Sequence, residues 1–155
     1  MLFVGCNSEH LKKIQRNEVL TKCDDLVQGY LSQNVEGARH CLHQQADLLE
    51  QSTILEPIGR SGILALTYAR LYVLDTRDGK MPEAEADMLK AKFWILKCDE
   101  LRNKSPGDAM KEIQENNTPE NVIAGVDEQD KGINNGNLPV YVNSVHLTNS
   151  SVKKN

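Results

Sequence analysis

The stretch YARLYVLDTRDGKMPEAEADMLKAKFWIL, residues 68–96, decides how this chain is read. Apolar residues crowd its first half. Thr76-Arg77-Asp78-Gly79-Lys80 then interrupts them, with a glycine where the chain must reverse. Pro82 falls in the first turn of the next segment, where a missing N–H is harmless in a helix. Glu83 and Glu85 sit near the positive end of that helix. After the turn, Ala84, Met88, Ala91, Ile95 and Cys98 recur at steps of three and four. Leu89, Phe93, Leu96 and Leu101 widen this stripe, and Trp94 lies towards its edge. The pattern predicts two antiparallel helices joined by a short turn.

The same periodicity extends outward. Val19, Cys23, Leu26, Val27 and Tyr30 form one face of a helix over roughly residues 8–32, with Ser8 as its N-cap. Asn34 breaks it. Ala38, Cys41, Leu42, Gln45, Leu48 and Leu49 form the stripe of a second helix over roughly 35–53. Pro57 starts a third, over roughly 57–77, that is apolar almost all round. A helix of that kind is buried, so it belongs at the centre. Arg70 lies in its apolar run. If buried, Arg70 must meet a carboxylate or carbonyls.

Beyond Asn103 the pattern weakens. Ser105-Pro106-Gly107-Asp108 and Thr118-Pro119-Glu120 read as starts of two short helices, ending near Asn116 and Gly132. Leu138-Pro139-Val140-Tyr141-Val142 reads as an extended segment that can dock back on the body, and residues 143–155 as a disordered tail. The expected organisation is a start at residues 1–7, a helical body at 8–104, loosely packed short helices and an extended segment at 105–142, and the tail.

A chain of 155 residues suits one domain, with or without a tail. Its net charge of −4 is mixed along the sequence, without a basic stripe, which speaks against nucleic acid as a partner. No apolar run approaches the roughly 18 residues of a transmembrane helix. The four cysteines form no C-x-x-C pair. Cys23, Cys41 and Cys98 fall on apolar stripes, where a free cysteine behaves as a small hydrophobe.

Four residues on the second helix, Glu36, His40, His43 and Asp47, share a narrow arc. Imidazoles and carboxylates so placed can bind zinc or a similar ion. The arc lies almost opposite the apolar stripe, which points it at solvent. No G-x-S-x-G, H-E-x-x-H, P-loop or G-x-G-x-x-G motif occurs, so no enzyme activity and no cofactor are expected.

Two resemblances add to this. Residues 68–96 resemble a tetratricopeptide-repeat hairpin: Tyr68, Leu71, Ala84 and Met88 stand where the family keeps an aromatic, Leu, Ala and Phe. Tyr72, Asp75 and Leu96 depart from its Gly, Tyr and Pro. A fainter echo at Asn34-Val35-Glu36-Gly37-Ala38 aligns with Lys80–Ala84 at an offset of 46 residues, against a family period of about 34. The resemblance implies stacked helical hairpins, a protein partner, and polar positions such as Arg60 and Arg70 at the binding surface. Met1-Leu2-Phe3-Val4-Gly5-Cys6 resembles the end of a bacterial lipoprotein signal peptide. That implies lipid on Cys6 and a place in the bacterial cell envelope if the gene starts upstream; otherwise the protein is read as cytoplasmic.

The fold class expected is therefore all-α, either tetratricopeptide-like or a compact four-helix body. The function expected is a non-catalytic protein-interaction module. The alternatives are a metal-binding bundle, and a structural subunit that dimerises through the stripe around Phe93 and Trp94.

Overall fold

Local signals place most helix boundaries of the structure, a computed structural model that describes residues 3–135, with side chains from Asn7 onward. Six helices follow one another: α1 Phe3–Ser32, α2 Val35–Gln51, α3 Pro57–Arg77, α4 Met81–Leu101, α5 Pro106–Asn116 and α6 Pro119–Asn134. The described residues contain no strand. The Asn34 side chain caps α2 by accepting from the Gly37 N–H at 2.9 Å. Ser105 and Thr118 cap α5 and α6 in the same way. The expected extended segment at 138–142 and the tail lie outside the described residues.

One boundary differs from expectation. α1 begins at Phe3, and Ser8 lies within it instead of capping it. No proline interrupts residues 3–8, so nothing obliges the helix to start at the serine. Most side chains from Asn7 to Glu18 are exposed, and burial in α1 begins at Leu20.

Both α3 and α4 end in the same device. Past α3, the Lys80 N–H reaches the Asp75 carbonyl at 2.8 Å, and the Gly79 N–H reaches Thr76 at 3.2 Å. Gly79 has φ +75°, the left-handed conformation this double closure requires. Past α4, Lys104 bonds to Asp99 and Asn103 to Glu100, both at 3.0 Å, with Asn103 at φ 58°. Asparagine is the other residue that tolerates this conformation.

α3 is the central helix, as its composition predicted, and packs on α2, α4 and α6. Leu20, Cys23 and Val27 of α1, Leu42 and Leu49 of α2, and Ile63, Leu64, Tyr68 and Leu71 of α3 form the main core. Tyr72 and Val73 of α3, Ala84 and Met88 of α4, and Val126 of α6 form a second cluster. α1 and α2 approach closely where Gly29 meets Cys41. A Cβ at Gly29 would stand 2.6 Å from Cys41 Sγ, which only glycine avoids. A polar seam crosses the main core: Gln45 donates to the Cys23 carbonyl at 3.0 Å. Thr67 Oγ1 lies 2.9 Å from Gln45 Oε1 and 2.7 Å from the Ile63 carbonyl, so its one proton serves either acceptor.

Arg70 is completely buried, and α6 supplies its carboxylate. Arg70 Nε donates to Asp130 at 3.0 Å. The Tyr30 hydroxyl of α1 donates to the other Asp130 oxygen at 2.6 Å, and the guanidinium lies 5.6 Å from the Tyr30 ring centroid. Burial and this bond to Asp130 raise the Tyr30 hydroxyl above its ordinary range. One carboxylate thus ties together α1, α3 and α6. Arg77 pairs with Asp127 one turn away at 2.8 Å, but both are exposed. Asp130→Ala is expected to cost about 3 kcal/mol, because it takes the carboxylate from a buried charge. Asp127→Ala is expected to cost under about 1 kcal/mol, as an exposed pair does. Urea unfolding of the two variants measures the contrast; equal losses would contradict it.

Candidate binding surface

The residues singled out from the sequence fall into three places. Glu36, His40, His43 and Asp47 all lie on the exposed face of α2. Glu36 is already engaged: Arg39 donates to its carboxylate, and Lys80 lies 3.5 Å away. That bond to Arg39 holds the Glu36 carboxyl below the ordinary carboxylate range. Among the described residues, no group of three or more His, Cys, Asp or Glu side chains converges to hold a metal ion. An arc on one exposed helix, with no second helix facing it, lacks the enclosure that such sites use.

Arg60 and Arg70 serve the fold. Arg70 is the buried partner of Asp130 and offers nothing to a ligand. Arg60 turns its Nη1 to the end of α2, 3.3–3.4 Å from the carbonyls of Leu49, Glu50 and Ser52. These are carbonyls that a helix end leaves open, and a cation suits that end. The Trp94 ring backs the same guanidinium at 5.5 Å. Cys6 has no described side chain. Cys23, Cys41 and Cys98 are free thiols, Cys23 and Cys98 buried. Burial pushes the Cys23 thiol up to about 12, which makes it an unreactive core residue.

A second polar cluster links α2 to the α3–α4 turn. Arg39 donates to Asp75 at 2.8 Å and to Asp78 at 2.6 Å, in addition to Glu36. Asp75 and Asp87 are both buried, at 2% and 6% exposure. Burial pushes the Asp87 carboxyl up to about 6, and the neighbouring Asp75 carboxylate adds to the shift, while Lys90 opposes it. Arg39 serves Asp75, so Asp87 carries the extra proton. Nearby, the Tyr68 hydroxyl donates to Glu50, with Lys90 5.0 Å from its ring centroid. Two clefts on the surface of α1, one bounded also by the α2–α3 connection, are wide open to solvent.

The outer face of α4 carries the most exposed large apolar side chain among the described residues, Leu89. Its inner face, Ala84, Asp87, Met88, Ala91 and Cys98, is buried. On the opposite side, Leu89 is 69% exposed and Phe93 50% exposed, one turn apart. The sequence reading counted both as a widening of the core stripe, and only its dimerisation alternative took the stripe around Phe93 and Trp94 as exposed. They point outward because α4 packs chiefly on α3, and one helix covers only one side of another. A signal for this was present: Pro82, Ala86, Leu89, Phe93 and Leu96 form a stripe of their own at steps of four and three. Phe93 stacks edge-on against Trp94 at 5.1 Å, and Lys97 lies 5.8 Å from its ring centroid.

No protein-family model, curated protein or solved structure matches the chain.

The Asp87 carboxyl makes a testable contribution to stability. Burial raises its folded pKa to about 6, above the ordinary aspartate value of about 3.9, so the folded state holds a proton the unfolded chain gives up. The stabilisation is full below about pH 4 and is lost as pH rises through about 6. Asp87→Asn keeps a neutral donor beside Asp75. It should therefore be the more stable protein at pH 8, by on the order of 2 kcal/mol. The advantage should fade towards pH 4. Urea unfolding of both proteins across this range reads the difference, and a difference independent of pH would refute the assignment.

Proposed function

We propose that this chain is a non-catalytic protein-interaction module whose binding surface is the outer face of α4. The observation that carries the reading is the exposure of Leu89 and Phe93 on adjacent turns of α4. Large apolar side chains grouped in this way cost solvation free energy when left in water, and such groups mark interaction sites. The α3–α4 pair holds the strip in one conformation, so binding needs little ordering. The surface that the tetratricopeptide resemblance implies, on the first helix of each pair, is largely closed on α3. There α2, α4 and α6 cover it, and Arg70 is taken by Asp130. The interaction reading therefore moves from α3 to α4 within the same hairpin.

A photoreactive phenylalanine analogue placed at Leu89 tests this in the native host. It should cross-link to a discrete protein species, identified by mass spectrometry. The same analogue at Glu128, exposed on α6, should not. The absence of any product specific to position 89 would end the proposal.

A further inference from the structure

We infer that the outer strip of α4 is a self-association surface, on which a second copy of the chain lies antiparallel. The inference rests on the reading of that strip as the binding surface and names its occupant. Pro82, Ala86, Leu89 and Phe93 alternate steps of four and three, the spacing of a helix that packs along another helix. The charges flanking the strip are sorted along it. Glu83 and Glu85 flank the N-terminal half, Lys90 and Lys92 the C-terminal half. A parallel pair would set each large side chain against its own copy, Leu89 on Leu89 and Phe93 on Phe93. An antiparallel pair sets the acidic half of each copy against the basic half of the other. A two-fold axis forms every such pair twice, so the strip complements itself.

Side-chain size gives the register. With Ala86 of one copy against Leu89 of the second, Phe93 falls on Pro82, so each large side chain meets a small one. The same register brings Glu85 beside Lys92 of the second copy. Neither residue has an ion pair within the described chain, so neither must be released from one. The two-fold axis then passes beside Asp87 and Met88, in the N-terminal half of α4, the helix on which α5 also packs. A heterologous helix would need this charge order by coincidence; a second copy carries it by identity.

Sedimentation of the full chain over a micromolar concentration series tests the inference. The wild type should shift from monomer to dimer. Leu89→Lys, at a site already 69% exposed, should keep its helical circular dichroism and remain monomeric. Glu85→Lys should weaken the dimer roughly tenfold, because two pairs turn repulsive. Adding Lys92→Glu to it should restore the wild-type affinity. A wild type that stays monomeric, a dimer that survives Leu89→Lys, or a double variant no tighter than Glu85→Lys would each overturn the proposal. In the first case a cross-link from position 89 to a different protein would leave the binding surface standing with another occupant. No cross-link would remove both.

Discussion

Arg70, fully buried on the central helix, requires a carboxylate, and the path of the chain beyond α4 supplies it. A guanidinium in an apolar core is tolerated only when paired and hydrogen-bonded. Asp130 meets that need from α6, sixty residues along the chain, and uses its second oxygen to accept from Tyr30 of α1. Three helices distant in sequence are thus brought to one charge. Val126 and Ile133 flank Asp130 on the same helix, and both are buried. The ion pair fixes the register of α6, and the apolar residues provide the driving force for docking it.

Much of this fold was legible from short-range chemistry. Pro57, Pro82, Pro106 and Pro119 all stand in the first turn of a helix, and Asn34, Ser105 and Thr118 cap where their side chains permit. The Gly79 turn and the central position of α3 follow from one positive φ and one continuous run of apolar residues. Arg70 announced itself as a charge needing a partner, but no local rule could say that Asp130 was that partner. The start of α1 was misread because a good capping residue, Ser8, does not end a helix that already runs through it.

The candidate site was harder to read, for a physical reason. α4 carries two apolar stripes: Ala84, Met88, Ala91 and Cys98 on one side, and Ala86, Leu89, Phe93 and Leu96 on the other. Periodicity detects each stripe and cannot say which faces the core. The choice is made by what α3 presents. Tyr72 and Val73 are bulky, and the α4 residues clustered with them are Ala84 and the pliant Met88, while Ala91 joins the main core. Small residues let the two backbones approach, so the small stripe turns in and the large one turns out. The metal-like arc on α2 failed by the converse rule. Its residues share a face, but among the described residues no second helix brings ligands to them, and Glu36 had a closer partner in Arg39.

The same logic bears on the composition of the outward stripe. A helix needing only one buried face could carry lysine or glutamate at positions 89 and 93 with no loss of core contacts. Exposed leucine and phenylalanine lower solubility, and within the chain Phe93 gains only its edge-on contact with Trp94 and the nearby Lys97. Neighbouring outward positions do hold such charges: Glu83, Glu85, Lys90 and Lys92 border the stripe without breaking it. An apolar seam edged by ordered charge is the arrangement by which helices choose both a partner and its direction. The inward stripe of α4 answers to α3, and in the proposed dimer the outward one answers to α4 of a second copy.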